Sequence, residues 1–349
     1  MTTDGDRVST TRPLTDSVIG IDHDAIERWF ASAVPEARAP LSFELLAGGR
    51  SNLTYLVLDR RGRSWVLRRP PTGPLRPGAH NMEREWRILV ALQSSPVPVP
   101  PTIAFCADPA VTGAEFYVMD HVDGIQVDSA ANAALLGYSA RRRLAEESVT
   151  TLARLHDVDP AVVGRRADPR AGSYVHRQLD LWLRQITSNG TPRTPELCEV
   201  HGLLSASEPP QRWTSLTHGD FRLGNMLVST DGSIEALLDW ELWTFGDPLA
   251  DLGWLAAWWG LAEDDGWTPI RAEGFPAVAE LAAHYQQSTG RDISDVPYYM
   301  SFALWRLACI AEGVYERYAA GMLGTPTTSL DILATRPREL AEAARVALH

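Results

Sequence analysis

The stretch that decides the fold is Leu216-Thr-His-Gly-Asp-Phe-Arg-Leu-Gly-Asn-Met-Leu-Val228, followed after a turn by Ala236-Leu-Leu-Asp-Trp240. It contains an aspartate, Asp220, then four intervening residues and an asparagine, Asn225. A second aspartate, Asp239, ends the apolar run that follows. Phosphoryl transfer needs a carboxylate that orients and deprotonates the attacking hydroxyl, together with oxygen ligands for Mg²⁺. The segment offers both kinds of group and therefore predicts a phosphoryl-transfer site.

The spacing of these residues also predicts how they come together. Two short apolar runs, 226–229 and 234–238, are separated by Asp231-Gly232, a dipeptide typical of a tight hairpin turn. Such a hairpin returns Asp239 to the mouth of the loop that carries Asp220 and Asn225. We therefore expect these three oxygen-bearing side chains to converge.

This segment resembles the catalytic loop H-x-D-x-x-x-x-N of the protein-kinase-like fold, and its His-Gly-Asp form is similar to the aminoglycoside phosphotransferase and choline kinase-like superfamily. The resemblance implies an α+β bilobal fold with a small antiparallel β-rich N-lobe and a larger, mainly helical C-lobe. It implies Asp220 as the catalytic base and Asn225 and Asp239 as metal ligands. It also implies that His218 and Asp251 hold the loop in place rather than take part in the chemistry.

The order of strand-like and helix-like patterns along the chain agrees with two lobes. The polar residues 1–18 predict a flexible tail, residues 19–120 an N-lobe for nucleotide binding, and residues 121–349 a helical C-lobe with the catalytic loop and the acceptor site. In the N-lobe, the patterns predict a capped helix that begins at Asp22 and then five strands, at 43–46, 54–58, 64–67, 103–106 and 115–119. A further helix, at 79–92, is expected between the third and fourth strands. In the C-lobe, helices are expected at 139–156, 176–186, 248–261, 275–288, 296–320 and 329–348, and the stretch 159–174 is expected to be rich in loops.

The N-lobe holds the candidate phosphate contacts. A glycine turn between two predicted strands can bring backbone N–H groups against phosphates, and it consists of Gly48, Gly49, Arg50, Ser51 and Asn52. The next strand carries Arg68 in the place of the lysine that binds the α- and β-phosphates in kinases. A guanidinium can bind phosphate oxygens in a bidentate manner, although it is bulkier than an ammonium group. An arginine here, in an Arg-Arg-Pro-Pro run, is similar to the subgroup related to phosphotransferase domains fused to acyl-CoA dehydrogenases.

Two further N-lobe features follow from the resemblance. Glu85 is expected to pair with Arg68, and Glu83 is the alternative partner on the same helix. The run Tyr117-Val-Met-Asp-His-Val122 resembles the hinge between the lobes, where backbone groups contact adenine. The residues expected to contact adenine there are Met119, Asp120 and Val122.

Composition limits the classes of function. The 349 residues carry 44 acidic and 32 basic residues, a net charge of −12, which disfavours nucleic acid as a partner. All the basic residues are arginine, so a P-loop lysine or a Schiff-base lysine is excluded. The apolar runs are too short for a membrane span, the N-terminus is unlike a secretory signal, and the three cysteines are widely spaced. A cytoplasmic protein that does not bind membranes is expected.

The sequence thus predicts a phosphotransferase that uses ATP and Mg²⁺ to phosphorylate a hydroxyl of a small molecule. The acceptor remains open between a metabolic hydroxyl compound, such as a hydroxyacyl-CoA, and an aminoglycoside. The oligomeric state is open as well. The alternative is a nucleotide-binding pseudokinase without turnover, because the expected lysine is missing. A hydrolase is disfavoured, because the chain has neither H-E-x-x-H nor G-x-S-x-G.

Overall fold

A computed structural model of the chain describes residues 18–47, 52–73, 80–164, 173–188, 192–261, 272–322, 326 and 328–348. Four residues of the expected phosphate-binding turn, 48–51, lie outside these ranges. The chain divides into two units. The first unit comprises the residues up to Trp86 together with Thr102–His121, and the second comprises Arg87–Pro101 together with the chain from Val122 onward.

The first unit contains the expected five-stranded sheet. All neighbouring strands are antiparallel, in the order β1-β2-β3-β5-β4. The strands are β1 Ser42–Ala47, β2 Leu53–Leu58, β3 Ser64–Arg69, β4 Thr102–Cys106 and β5 Phe116–Asp120. Each lies within two residues of its prediction, because the alternating apolar pattern marks the strands and the turns separate them.

One face of this sheet is covered by α1, His23–Ala33, which is the first helix of the chain. The side chain of Asp22 caps α1 by accepting a hydrogen bond from the N–H of Ala25 at 3.0 Å. Ile26 and Phe30 of α1 are buried and belong to the same apolar core as Tyr55 of β2. The expected capped helix is confirmed.

The second helix, α2, extends from Met82 to Leu92. It begins three residues later than the sequence predicted, because the side chain of Asn81 accepts a hydrogen bond from the N–H of Arg84 at 2.8 Å, as an N-cap does. The boundary between the two units falls inside α2, between Trp86 and Arg87.

The second unit is mainly helical. Its helices are α3 Ala130–Ala134, α4 Tyr138–His156, α5 Tyr174–Thr187, α6 Glu196–Ala206, α7 Pro248–Gly260, α8 Val278–Thr289, α9 Val296–Ala319 and α10 Leu330–Ala347. The mostly buried α9 packs against α7 and α10. Two short antiparallel pairs complete the unit, formed by β6 Ser215–Thr217 with β9 Thr244–Gly246 and by β7 Met226–Val228 with β8 Ile234–Leu237. The fold is therefore of the protein-kinase-like α+β class.

Four elements of the second unit were not predicted. Helices α3 and α6 were missed, and so were the three-residue strands β6 and β9, which are too short to show a period. Helix α6 has apolar residues on several sides and a glycine, Gly202, within it, so its sequence lacks a clear apolar stripe. Part of the loop-rich stretch forms a 3₁₀ turn, Pro160–Val163. No helix within the described ranges is both long and apolar enough to cross a membrane.

Candidate active site

The catalytic loop, defined as residues 218–225, follows β6 and requires glycine at its second position. Gly219 has a φ of 84°, in the left-handed region. A Cβ atom there would lie 2.7 Å from the carbonyl oxygen of Leu242. Any side chain at this position would therefore collide with neighbouring backbone as well as strain its own.

The carboxylate of Asp251 holds the beginning of the loop from below. Its Oδ2 accepts from the N–H of His218 at 2.7 Å, and its Oδ1 accepts from the N–H of Gly219 at 2.9 Å. Asp251 lies in the first turn of α7, which Asp247 caps. The sequence-based expectation that Asp251 braces the loop is confirmed. The two backbone donors need a charged acceptor that does not move.

His156 on α4 supports this brace from the other side. Its Nδ1 is 2.7 Å from the hydroxyl of Tyr285, and its Nε2 is 3.4 Å from Oδ2 of Asp251. Complete burial lowers the pKa of His156, so the neutral ring accepts from Tyr285 and directs its N–H to Asp251. Burial opposes the charge of Asp251, but the interactions with His156 and the N–H of Gly219 outweigh it and lower the pKa of this carboxyl.

The side chain of Asp220 is fixed by two neutral donors. The indole Nε1 of Trp254 donates to its Oδ1 at 2.7 Å, and the amide Nδ2 of Asn225 donates to its Oδ2 at 2.8 Å. The same amide nitrogen also donates to the backbone carbonyl of Asp220 at 2.8 Å. About a fifth of the Asp220 side chain remains exposed. The carboxylate is thus oriented and still partly accessible, as a general base must be.

Backbone hydrogen bonds bring the residue before Asp239 to the same loop. The N–H of Leu238 donates to the carbonyl of Asn225 at 2.8 Å, and Nε2 of His218 donates to the carbonyl of Leu238 at 2.9 Å. Because Nε2 carries the proton, Nδ1 of His218 accepts from the N–H of Asp220 at 3.2 Å. His218 therefore connects the loop to the hairpin, as expected, and Asp239 follows directly with a φ of 63°.

The donor atoms at this loop fit a hard divalent cation. A carboxylate can only accept, so the amide nitrogen of Asn225 faces Asp220 and the amide oxygen is the atom left for a metal. Asp239, the residue after Leu238, would add a carboxylate, and Mg²⁺ prefers such oxygen ligands. In the ranges that the structure describes, no three His, Cys, Asp or Glu side chains form a group that could hold a metal. A site here would combine one amide with carboxylates.

In the first unit, Arg68 pairs with Glu85 and not with the alternative Glu83. Its Nε donates to Oε2 of Glu85 at 2.9 Å, and its Nη1 is 3.3 Å from the hydroxyl of Thr54. Glu85 is 1% exposed, whereas Glu83 is exposed on the same helix. The hydroxyl of Tyr117 also donates to Oε2 of Glu85, at 3.0 Å. Burial of α2 against β3 and β5 thus selects one of the two glutamates.

The other residues expected to contact the nucleotide lie in both units. Asn52 is buried, and its amide donates to Oε1 of Glu85 at 2.8 Å, so its side chain belongs to the same polar cluster. Met119 and Asp120 are the last residues of β5, where Asp120 is 3.7 Å from Arg63. Val122 is half-buried and belongs to the second unit.

Sequence reasoning did not assign a role to three side chains that support these carboxylates. These side chains are those of Trp254, Arg306 and Tyr117. Arg306 of α9 donates to the carbonyl of Gly219 at 2.5 Å and stacks on the ring of Trp254 at 4.0 Å. One signal was present, since a buried indole N–H requires an acceptor and Trp254 lies three residues after Asp251 on α7.

The fold and the loop geometry are those of a kinase-like phosphotransferase. Residues 42–284 match the Phosphotransferase enzyme family, which is most of the chain, and the chain belongs to this family. The family resemblance drawn from the sequence is therefore confirmed, and the class is that of small-molecule phosphotransferases.

Individual proteins are similar to this chain over most of its length. Acyl-CoA dehydrogenase family member 10 of Mus musculus is 32% identical over 335 residues, which cover 92% of this chain and 30% of that protein. The chain thus spans about a third of this relative's length. The crystal structure of a candidate aminoglycoside phosphotransferase from Ralstonia eutropha is 30% identical with a TM-score of 0.78, covering 94% of this chain and 98% of that one. The GDP complex of aminoglycoside 2'-phosphotransferase-IIIa shares the fold, with a TM-score of 0.59, 17% identity, and coverage of 93% and 99%.

Proposed function

We propose that this protein transfers the γ-phosphoryl group of ATP to a hydroxyl group of a small molecule in the presence of Mg²⁺. The observation that carries the proposal is the hydrogen bonding and partial exposure of Asp220. Its carboxylate is oriented by the indole of Trp254 and the amide of Asn225, yet a fifth of the side chain is exposed. That combination suits a base that meets a substrate and does not suit a purely structural carboxylate.

Asp220 would accept the proton of the acceptor hydroxyl. The acceptor oxygen forms its bond to the γ-phosphorus while the bond from that phosphorus to the departing ADP oxygen breaks, so the proton ends on Asp220 and the charge on ADP. Most of the acceleration would come from positioning and electrostatics, since the chain has little covalent chemistry to perform. Asp251 and His218 contribute by fixing the loop.

The remaining roles concern the metal and the nucleotide. Asn225 and Asp239 would hold Mg²⁺, which when bound offsets the negative charge of the phosphate oxygens. Arg68, kept in place by Glu85, would bind phosphate oxygens. Backbone groups at residues 48–52 and at Met119, Asp120 and Val122 complete the proposed contacts, to phosphate and to adenine respectively. Support for nucleotide use comes from a similar protein, which was solved as a GDP complex.

The acceptor is proposed to be a metabolic hydroxyl compound. Support comes from the relative whose name assigns it to the acyl-CoA dehydrogenases, since a hydroxyacyl thioester would belong to the same chemistry. An aminoglycoside is the competing acceptor, because the Ralstonia eutropha structure is described as a candidate aminoglycoside phosphotransferase. Incubating the full chain with ATP and Mg²⁺ against aminoglycosides, amino alcohols and hydroxyacyl-CoAs in parallel separates these acceptors.

The test of the phosphotransferase itself is Asp220→Asn, which keeps the size and removes the base. With the best acceptor of the panel, ADP release and phosphorylated product should fall by about 10²- to 10⁴-fold, the usual contribution of a general base. Asp231→Asn is the matched control, because Asp231 lies in the β7–β8 turn and forms an ion pair with Arg143 on the exposed surface. Both variants should remain folded, as measured by circular dichroism. Wild-type turnover by Asp220→Asn would refute the assignment.

A nucleotide-binding pseudokinase is the second candidate, and the observation that favours it is Arg68 in the lysine position. It predicts that ATP binds, as measured by calorimetry, while no acceptor of the panel is phosphorylated and ATP is not hydrolysed. Product formed by the wild type and lost in Asp220→Asn would exclude this candidate.

A further inference from the structure

Two arginine–tryptophan contacts flank the carboxylate of Asp220. The guanidinium of Arg222 lies 4.9 Å from the ring of Trp258, and that of Arg306 lies 4.0 Å from the ring of Trp254. The two rings are themselves in edge contact, 6.2 Å apart. Cation–π contacts of this kind favour a guanidinium position over the face of the ring. The catalytic loop of an acidic protein therefore has two fixed positive charges beside its base.

The sequence around Asp220 is rich in acidic residues, although positive side chains lie next to Asp220 itself. Between residues 213 and 270, ten acidic residues accompany a single basic one, Arg222. Several of these acids are already compensated. Asp251 accepts two backbone N–H groups, Asp247 accepts the hydroxyl of Tyr299 at 2.8 Å, and Asp231 is 2.7 Å from Arg143. Counting acids therefore overstates how strongly this loop attracts cations.

Arg222 is the more accessible of the two cations. Its side chain is 30% exposed, whereas Arg306 is 5% exposed and is engaged with the carbonyl of Gly219. The chain also makes room for it, because a Cβ atom on Gly224 would lie 2.4 Å from Nη1 of Arg222. A fixed and partly exposed guanidinium is suited to bind carboxylate or phosphate oxygens.

Arg222 is not needed to orient Asp220. The distance from its Nε to Oδ2 of Asp220 is 3.5 Å, longer than a normal N–H···O hydrogen bond. Both oxygens of Asp220 already have donors at 2.7 and 2.8 Å, from Trp254 and Asn225. Arg222 therefore has N–H donors that are not required to orient Asp220.

We propose that Arg222 is a specificity-determining residue that binds an anionic group of the acceptor, close to the hydroxyl that Asp220 deprotonates. The acceptor class is then a hydroxy compound bearing carboxylate or phosphate oxygens, and not a polycation. This inference rests on the proposed phosphotransferase function. Close to the hydroxyl, the anionic oxygens can belong to the carboxylate of a free hydroxy acid, whereas the phosphates of its coenzyme A ester lie a whole pantetheine arm away and are not candidates.

The experiment compares four acceptors that share one skeleton: hydroxybutyrate, its neutral amide, its coenzyme A thioester and its pantetheine thioester, which lacks the phosphates. kcat and KM are measured for the full-length wild type, Arg222→Gln, Arg222→Lys and Arg143→Gln. The last variant removes an exposed arginine that is also paired with an aspartate, and serves as the matched control.

We expect the wild type to prefer the free acid over its neutral amide. Preference for the free acid over its amide identifies a carboxylate. Preference for the coenzyme A ester over the pantetheine ester alone would come from a group too far from the hydroxyl for Arg222 to bind, and would count against the inference. Arg222→Gln should raise KM for the preferred anion by about 10-fold or more, as expected for a hydrogen bond to a charged group, and leave the neutral partner unchanged. Arg222→Lys should restore part of the loss, and Arg143→Gln should match the wild type.

Three further results would overturn the inference. The first is a wild-type preference for the neutral acceptors or for an aminoglycoside. The second is an equal fall in kcat for charged and neutral acceptors in Arg222→Gln, which indicates a role that all acceptors share, either in holding the loop or toward the transferred phosphoryl group. The third is wild-type behaviour of Arg222→Gln. In each of these cases phosphorylation by the wild type preserves the proposed function, whereas a wild type that phosphorylates no acceptor at all removes both.

Discussion

Glu85 in the first unit and Asp220 in the second are both carboxylates held by several side chains, but they are held differently. Glu85 is 1% exposed and receives a guanidinium, an amide and a hydroxyl, from Arg68, Asn52 and Tyr117. Asp220 receives an indole and an amide, both neutral, at normal hydrogen-bond distances and keeps a fifth of its side chain exposed.

The difference separates an anchor from a reactive group. A carboxylate surrounded by a cation and further donors has both oxygens engaged and, when it is buried, has no accessible surface for substrate. One that is oriented by neutral donors keeps its position without a tight ion pair and can still reach an acceptor. Removing Glu85 should therefore affect mainly stability, whereas disturbing the donors of Asp220 should affect mainly turnover.

The largest effect is expected for Glu85→Ala. It removes the buried carboxylate that accepts from both the guanidinium of Arg68 and the amide of Asn52, and breaking such a pair costs about 3–5 kcal/mol of unfolding free energy. Chemical denaturation followed by circular dichroism measures this loss. Glu83→Ala, on the same helix but exposed, should change the free energy by less than about 0.5 kcal/mol. Equal losses in the two variants would contradict the anchor role.

A smaller effect, on turnover, is expected for Trp254→Phe. A smaller aromatic ring remains, but Asp220 loses one of its two neutral donors. Losing a hydrogen bond to a charged group should reduce kcat by about 10- to 100-fold. Trp259→Phe is the control, because Trp259 lies on the same helix and its indole donates to the carbonyl of Pro276 at 2.9 Å, away from Asp220. If Trp259→Phe slowed kcat as much, orientation of Asp220 could not be the cause.

The smallest effect concerns pH and the brace beneath the loop. Because burial lowers the pKa of His156, the unfolded chain binds this proton more readily below pH 6.5. The stability that His156 contributes is thus complete above pH 6.5 and is lost as the pH falls, by up to about 1.4 kcal/mol per pH unit. His156→Gln keeps a neutral donor and acceptor, so its unfolding free energy should fall less between pH 7.5 and 5.5. Parallel curves for the two proteins would show that His156 does not titrate on unfolding.

Much of the second unit's site could be predicted because it is local in the sequence. Asp220 and Asn225 share one loop, and the Asp231-Gly232 turn returns the chain to Asp239 through a hairpin. The residue types, their spacing and one turn suffice for that arrangement. Trp254, whose indole orients Asp220, could not be predicted in this way, because it reaches the loop only through the packing of α7.

The choice between Glu83 and Glu85 shows the same limit in the first unit. Both lie in the first turn of α2, and both could face Arg68 by sequence alone. Only the rotation of α2 against the sheet decides that Glu85 is buried and Glu83 exposed. Helix α6 and strands β6 and β9 also depend on tertiary contacts, because their own residues show no clear period.

The chain passes between the two units three times, after Trp86, Pro101 and His121. Residues 87–101 precede the end of the first unit in sequence but make their contacts with the second, such as the bond from the N–H of Leu237 to the carbonyl of Pro98 at 2.8 Å. Cutting the polypeptide once, at residue 121, would leave residues 87–101 on the N-terminal piece and the C-terminal piece without that segment of its own unit. Neither half is a natural module for expression, grafting or recombination, and a split version of this protein would need its break elsewhere.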